Sequence, residues 1–234
     1  MEPDRSFSNT NSQAKEIDAG LRAHMQRVYN RMIAGVGVTA VTSFIVMSSP
    51  ELLKLLMGGP QAYIFMFAPL ALIWFGFRPE KMASSKLKAT FFAISLMYGI
   101  SLSLLGLVYA GADIARAFFI ATGMFAGLSI FGYTTKKNLD GLMTFCVMGM
   151  FGVIFASLLN GFVFKSAGLL DMISVAGILV FSGITAWQTQ SAKELYSPAH
   201  GDEMNSRMAW SAALNLYISF IALFQYILHF LGRE

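Results

Sequence analysis

Residues 142–159 have the sequence LMTFCVMGMFGVIFASLL, and this stretch decides the fold class. It carries no charged residue, and its length is close to the roughly 20 residues that a helix needs to cross the ~30 Å of hydrocarbon in a bilayer. A membrane strand would span ~10 residues and would alternate polar and apolar side chains, which this stretch does not do. Because backbone polar groups must be paired inside lipid, we expect a transmembrane helix here.

Six other apolar runs have a similar length, and none of the seven contains Asp or Glu. All 13 acidic residues lie in the N-terminal segment, at the C-terminus or in the connections between runs. Charged residues make up 13% of the chain, well below the ~25% that is usual in soluble domains. The sequence predicts an all-α integral membrane protein whose seven-helix transmembrane domain covers residues 32–234. The runs lie near residues 32–49, 61–77, 89–110, 114–132, 141–164, 172–190 and 210–231.

Residues 1–31 form a polar N-terminal segment that precedes the first run. Residues 1–13, rich in Ser and Asn, predict a disordered tail. From Ala14 onward, apolar residues recur at helical intervals among basic ones, which is typical of a short amphipathic helix that lies on the membrane surface. These apolar residues are Ile17, Leu21, Met25, Val28 and Met32.

The basic residues predict the orientation of the chain. Most of the 17 Lys and Arg residues fall in the N-terminal segment and in the second, fourth and sixth connections. Cytoplasmic connections of membrane proteins are enriched in Lys and Arg, so we expect the N-terminus in the cytoplasm. Seven crossings place the C-terminus on the opposite side, whereas a last run that re-enters would return it to the cytoplasm. The basic residues of the opposite side are Lys54, Arg116, Lys165 and Arg233.

The sequence offers few groups that could carry chemistry. Cys146 is the only cysteine, and the three histidines are too scattered for a tetrahedral zinc site. There is no HExxH motif, phosphate-binding glycine loop, intramembrane aspartate pair or lysine in the last run. We therefore expect no enzyme activity, no cofactor site, no metal site and no nucleic-acid binding. Cys146 is expected to be a small buried hydrophobic residue.

Polar side chains inside the runs mark where function could reside. In the last run, Ser211, Asn215 and Ser219 recur at helical intervals and share a face with Tyr226 and His229. The sixth run carries a second polar set with the same spacing. Each set could line a polar pathway or only hydrogen-bond to neighbouring helices, and the sequence leaves both interpretations open. The sixth-run set is Ser182, Thr185, Gln188 and Thr189.

Glycines inside the runs predict close helix packing, because small residues let helix backbones approach one another in lipid. Gly123 and Gly127 form a GxxxG pair in the fourth run, and Gly149 and Gly152 lie in the fifth. Gly177 and Gly183 lie in the sixth run. We expect all six to pack within the bundle, and a hinge or a homodimer face is the alternative.

Residues 128–139, LSIFGYTTKKNL, followed by MGMFGVIFASLLNGF at 148–162, closely resemble the Bax inhibitor-1 family, also called the transmembrane Bax inhibitor motif family. LRAHMQRVYNRMIAGVGVTA at 21–40 is similar to the entry of its bacterial members. FSGITAWQTQSAKELY at 181–196 resembles the family's sixth span, and ALNLYISFIALFQYIL at 213–228 its seventh. The resemblance covers roughly residues 18–233.

This resemblance implies a seven-helix bundle in which the last helix is central and surrounded by the other six. Members are described as pH-sensitive calcium leak channels, as suppressors of cell death and, in bacteria, as modulators of a membrane-bound AAA protease. The implied leak mechanism uses two aspartates, one near the end of span 6 and one in the middle of span 7. An arginine at the end of span 2 is implied to pair with the first.

The chain departs from this pattern at both acidic positions. Gln188 stands where span 6 of the family ends in an acid, and Ser219 stands where span 7 carries one, whereas Arg78 matches the arginine. Neutral amide and hydroxyl groups do not titrate near physiological pH and bind Ca²⁺ more weakly than carboxylates do. Arg78 could extend to the membrane interface or turn inward toward Gln188. We regard Gln188, Ser219, Arg78 and Asn215 as the polar-pathway positions, without a pH sensor.

We therefore expect a multi-pass protein of a bacterial inner membrane that regulates a membrane partner, such as a membrane-bound AAA protease, through its helices and N-terminal segment. The alternative is a Ca²⁺ leak channel that lacks the di-aspartyl pH sensor. We expect the protein to be embedded in a lipid bilayer whether it is a regulator or a leak channel.

Overall fold

The helices account for most of the chain. A computed structural model describes the backbone of residues 4–232 and the side chains of residues 18–232. Two π-helical turns extend helices, Leu72–Gly76 after α3 and Asn160–Phe164 after α7. The α-helices are α1 (Asp4–Ser48), α2 (Pro50–Met57), α3 (Gln61–Ala71), α4 (Ser84–Leu102), α5 (Leu105–Val108), α6 (Gly111–Thr134), α7 (Asp140–Leu159), α8 (Ala167–Glu194) and α9 (Asp202–Leu231).

Six helical stretches of the described chain are long and apolar enough to cross a membrane. They contain six of the seven predicted runs, so the helical membrane fold class is confirmed. These stretches are Asp18–Ser48, Ser84–Val108, Gly111–Thr134, Asp140–Phe164, Ala167–Glu194 and Asp202–Leu231.

The second predicted run, residues 61–77, is broken rather than straight. Pro50–Met57 and Gln61–Gly76 form a pair that is bent by 75°. The 11 residues of α3 and the five of its π turn rise only ~24 Å at 1.5 Å per residue, which is short of the ~30 Å hydrocarbon core. Pro69 inside α3 removes a backbone donor where the helix changes to π geometry. The bundle has seven spans if this bent pair crosses as one.

The N-terminal segment differs from the prediction. The described helix α1 runs unbroken from Asp4 to Ser48, although we predict a disordered tail over residues 1–13 and a separate surface helix after it. Adding residues to an existing helix is far easier than starting one, so polar residues can extend the helix that the apolar run nucleates. Residues 1–3 lie outside the described residues. That the part before residue 32 lies on the membrane surface stays a prediction.

The last helix is central, as predicted. α9 packs mainly against α1, α4, α6 and α8, whereas α3 packs on α4 and α7 packs on α8. Two large side chains of α9, Tyr217 and Leu223, are completely buried. The resemblance implies a ring of six helices around α9. The structure instead packs four helices mainly against α9, whereas α3 packs mainly against α4 and α7 mainly against α8.

The glycines divide into two groups. A Cβ added at Gly149 would lie 2.8 Å from Val180, and one at Gly177 would lie 2.6 Å from the Tyr226 ring. A close approach to the backbone of another helix joins α6 to α8, where a Cβ on Gly132 would overlap the carbonyl oxygen of Ala186.

The prediction is wrong for the GxxxG pair and for Gly152. A Cβ at Gly123, Gly127 or Gly152 would meet nothing within 4 Å. These glycines lie on helix faces that point away from the bundle, and spacing alone does not reveal which face of a helix packs inward. Gly183 does pack, against the sulfur of Cys146, which is buried as expected.

Candidate functional site

The structure brings together two of the predicted positions, Gln188 on α8 and Ser219 on α9. The hydroxyl of Ser219 donates a hydrogen bond of 2.8 Å to the side-chain oxygen of Gln188. Ser219 is buried, with 1% of its surface exposed, and Gln188 is partly buried. Both groups are neutral, so the contact joins the two helices without placing charge between them.

Arg78 takes no part in this contact. Its side chain is exposed, and within residues 18–232 no hydrogen bond or ion pair joins it to Gln188 or Ser219. The loop after the second run is held to α9 by Arg207 instead, whose Nε donates 2.6 Å to the carbonyl oxygen of Pro79. The outward orientation matches the interfacial alternative for Arg78, and a neutral Gln188 offers it no ionic partner.

The polar face of α9 is divided between interface and open surface. Asn215 is exposed, although Ser219 one turn later is buried. Farther along, His229 Nδ1 lies 2.6 Å from the hydroxyl of Tyr109, and the Tyr226 ring packs against Phe181 at 5.7 Å between centroids. These contacts are interhelical, so a continuous polar pathway along α9 stays a prediction.

One turn of α8 ties four parts of the fold together. Trp187 Nε1 donates 2.8 Å to Asp140 Oδ1 at the start of α7, and Gln188 contacts α9. Thr189 Oγ1 donates 3.4 Å to the hydroxyl of Ser129 on α6. Gln190 donates 2.9 Å to the Lys137 carbonyl and accepts 3.0 Å from the Leu139 amide, both before α7.

Sequence reasoning singled out Gln188 and Thr189 but missed Trp187 and Gln190. Successive helix residues point about 100° apart, since a turn has 3.6 residues. Four hydrogen-bonding residues in a row therefore face four directions, and this is the signal that could have marked the whole turn as a junction. A search for polar residues that share one helix face does not detect this turn.

A second buried contact joins α1, α4 and α9. The hydroxyls of Thr39 and Tyr217 are 2.7 Å apart, and Thr39 also donates 2.9 Å to the carbonyl oxygen of Ser95. Near the N-terminal end of α9, Arg31 of α1 donates to the carbonyl and hydroxyl oxygens of Ser206 at 2.8 and 3.0 Å and stacks 4.0 Å from the Trp210 ring. Polar contacts therefore fix α9 at several depths.

The charged groups of the described side chains show little clustering. Among residues 18–232, no three His, Cys, Asp or Glu side chains come together as metal ligands would. Asp113 and Arg116 form an ion pair of 3.3 Å within one turn of α6. The chemistry of the α8–α9 contact is thus that of neutral oxygen and nitrogen atoms.

Comparison with known proteins gives one family. A profile of the family described as "Inhibitor of apoptosis-promoting Bax1" matches residues 21–234. An uncharacterized protein of Rickettsia prowazekii, RP147, is 38% identical over 96% of this chain and 95% of its own length. An uncharacterized protein of Caulobacter vibrioides is 39% identical over 92% and 90%. The Escherichia coli K12 inner membrane protein YbhL is 33% identical over 92% and 94%.

Proposed function

Because this chain belongs to the Bax inhibitor-1 family, we propose that it is a non-enzymatic protein of a bacterial inner membrane that regulates a membrane partner. A membrane-bound AAA protease is the partner class that we propose. The N-terminus lies in the cytoplasm in this proposal, in line with the distribution of Lys and Arg. The observation that carries the proposal is the neutral hydrogen bond between Ser219 and Gln188.

A pH-gated cation pathway needs groups that ionise and that replace the water around the ion. Carboxylates do both. Here the Gln188 oxygen already accepts the Ser219 hydroxyl at 2.8 Å, and neither group can ionise near neutral pH. The contact therefore supports a structural role for α8 and α9, which leaves the outer surfaces of the protein to carry the function.

The N-terminal part of α1 is the surface that we propose for the partner contact. Arg22 and Arg27 are exposed there, whereas Arg31 is held on α9 through Ser206 and Trp210. Two cations on a helix that extends past the predicted membrane surface suit a partner with an acidic cytoplasmic surface.

Reconstitution tests this proposal. A bacterial membrane-bound AAA protease is placed in proteoliposomes with or without this protein, and the degradation rate of a membrane substrate is measured. We expect at least a twofold change that is lost in an Arg22→Glu, Arg27→Glu variant but kept in Lys165→Glu, a control from the predicted opposite side. An unchanged rate with the wild-type chain would contradict the proposal.

The second candidate is the Ca²⁺ leak without a pH sensor. The exposed amide of Asn215 favours it, since this polar group on the central helix is not enclosed by the bundle. The leak would be supported by a Ca²⁺ flux into proteoliposomes that is larger than the flux into empty liposomes and that falls in the Asn215→Leu variant. Flux equal to that of empty liposomes would exclude it.

A further inference from the structure

A long groove runs between α1 and α6. Both helices pack against α9, which supplies the groove floor. The cavity has a volume of about 760 Å³, with Ile33 on the α1 wall, Ile130 on the α6 wall, and Phe125 and Phe220 at its base. The two Phe rings meet edge to face, 5.7 Å between centroids, so the base is closed and apolar.

The polar residues of the groove gather at one end. Arg22 and Gln26 line its mouth from α1, and Tyr133 and Thr134 line it from α6. Arg22 is exposed, and no Asp or Glu is among the residues that line this cavity. Lys136 and Lys137 follow α6 at the same end. Among the residues that line the mouth, Arg22 is the charged one, and its charge is positive.

The deeper part has few polar side chains. The Thr122 hydroxyl donates 2.8 Å to the carbonyl oxygen of Phe118 within its own helix, and the Ser129 hydroxyl accepts from Thr189 of α8. The remaining wall is aliphatic and aromatic. Such a surface favours a hydrocarbon chain over water or a polar side chain.

The length of the groove matches one leaflet. Its α1 wall extends from Arg22 to Val36, which is ~21 Å at 1.5 Å per residue. Half of a ~30 Å hydrocarbon core with one headgroup layer is also roughly 21 Å. At the inner end the Phe118 ring packs edge to face against Phe220, 5.8 Å between centroids. A second apolar cavity of about 430 Å³ adjoins the groove there and shares Val36, Phe118 and Phe220 with it.

We propose that this groove binds one anionic phospholipid, with its phosphate on Arg22 at the mouth and its acyl chains along Ile33, Phe125 and Phe220. Charge at one end and apolar walls over one leaflet are the profile of a lipid. A partner helix or a second copy of this chain would cross both leaflets and cover the adjoining cavity as well, whereas one phospholipid occupies only the leaflet on which Arg22 lies.

Native mass spectrometry tests the proposal. The full chain is purified in detergent, stripped of lipid and titrated with phosphatidylglycerol or with phosphatidylcholine of the same acyl chains. We expect one phosphatidylglycerol per chain, retained about five- to tenfold more strongly than phosphatidylcholine, because a positive side chain favours an anionic headgroup. Arg22→Gln should remove this preference.

Matched variants separate the site from general effects. Arg27→Gln removes an exposed charge from the same helix outside the groove and should leave the preference unchanged. Ile33→Trp fills the groove and should lower retention of both lipids, whereas Ile45→Trp, at another exposed position of α1, should not.

Two results would overturn the proposal. One is equal retention of the two lipids by the wild-type chain. The other is a dimer that Ile33→Trp dissociates, which would assign the groove to a second copy. A melting temperature of Ile33→Trp in detergent equal to that of the wild type shows that the variant is folded.

Discussion

The hydroxyl of Ser219 on the central helix donates to the side-chain oxygen of Gln188 across 2.8 Å. The pair stands at the two positions where the family resemblance implies acids. A hydrogen bond between neutral groups is found in place of the implied pair of carboxylates. The contact keeps its geometry over the physiological pH range, because neither partner titrates there.

We predict that Ca²⁺ flux through the wild-type chain in proteoliposomes is small and varies little between about pH 6 and 8, as no acid pair titrates in that window. Gln188→Asp combined with Ser219→Asp should introduce a pH-dependent flux, because two close carboxylates hold one proton between them. Gln225→Asp on the same helix is the control. A large proton-gated flux in the wild type would contradict the prediction.

Removing the donor of this contact should destabilise the bundle slightly. Ser219→Ala leaves the Gln188 oxygen without its partner in a helix interface. We expect a loss of about 1 kcal/mol, toward the low side because interhelical hydrogen bonds in membranes average ~0.6 kcal/mol. Thermal unfolding in detergent measures it, with exposed Asn215→Ala as the control. Equal effects of the two variants would show that the hydrogen bond contributes nothing specific.

Two glycines on α6 should respond in opposite ways to alanine. Gly132→Ala would push a methyl group into the Ala186 carbonyl and should destabilise by about 1–3 kcal/mol, the usual range for overpacking. Gly127→Ala adds the same methyl group in open space and should be neutral or stabilising by up to ~1 kcal/mol from helix propensity. Melting temperatures of the purified variants compare them. Tolerance of Gly132→Ala would show that α6 and α8 separate easily.

Arg31 should not be replaceable by lysine. Its guanidinium contacts both Ser206 oxygens and stacks on Trp210, and an ammonium group cannot reproduce a planar fork. We expect Arg31→Lys to lower stability by about 1–2 kcal/mol, and Arg27→Lys at an exposed position to stay within about 0.5 kcal/mol. The rate of limited proteolysis in the connection between α1 and the rest of the bundle measures this difference. Equal protease resistance of both variants would argue against an anchoring role.

The sequence located much of the candidate site but not its geometry. It singled out Gln188 and Ser219 as equivalents of acidic positions, and these two do meet. It could not decide whether Arg78 points inward or outward, because a cation at the end of a run can extend to the membrane interface or turn toward the bundle. It missed Trp187 and Gln190, because they do not share one helix face with the polar residues of the sixth run, and their partners before and at the start of α7 are distant along the chain.

The sequence by itself determined the class of this protein. Long runs without acids can persist only as helices in lipid, since each unpaired backbone group or buried charge is strongly unfavourable there. That argument needs composition and length alone, so it does not depend on how the helices meet.

Only the tertiary structure decided which faces meet. A helix has the same periodicity whichever side packs inward, so Gly132 could not be separated from Gly127, nor buried Ser219 from exposed Asn215, before the neighbours of α6 and α9 were known. The groove between α1 and α6 likewise exists because both helices pack on α9 and leave a gap between them. These features depend on the distances between helices that are far apart in the chain, and local sequence does not determine those distances.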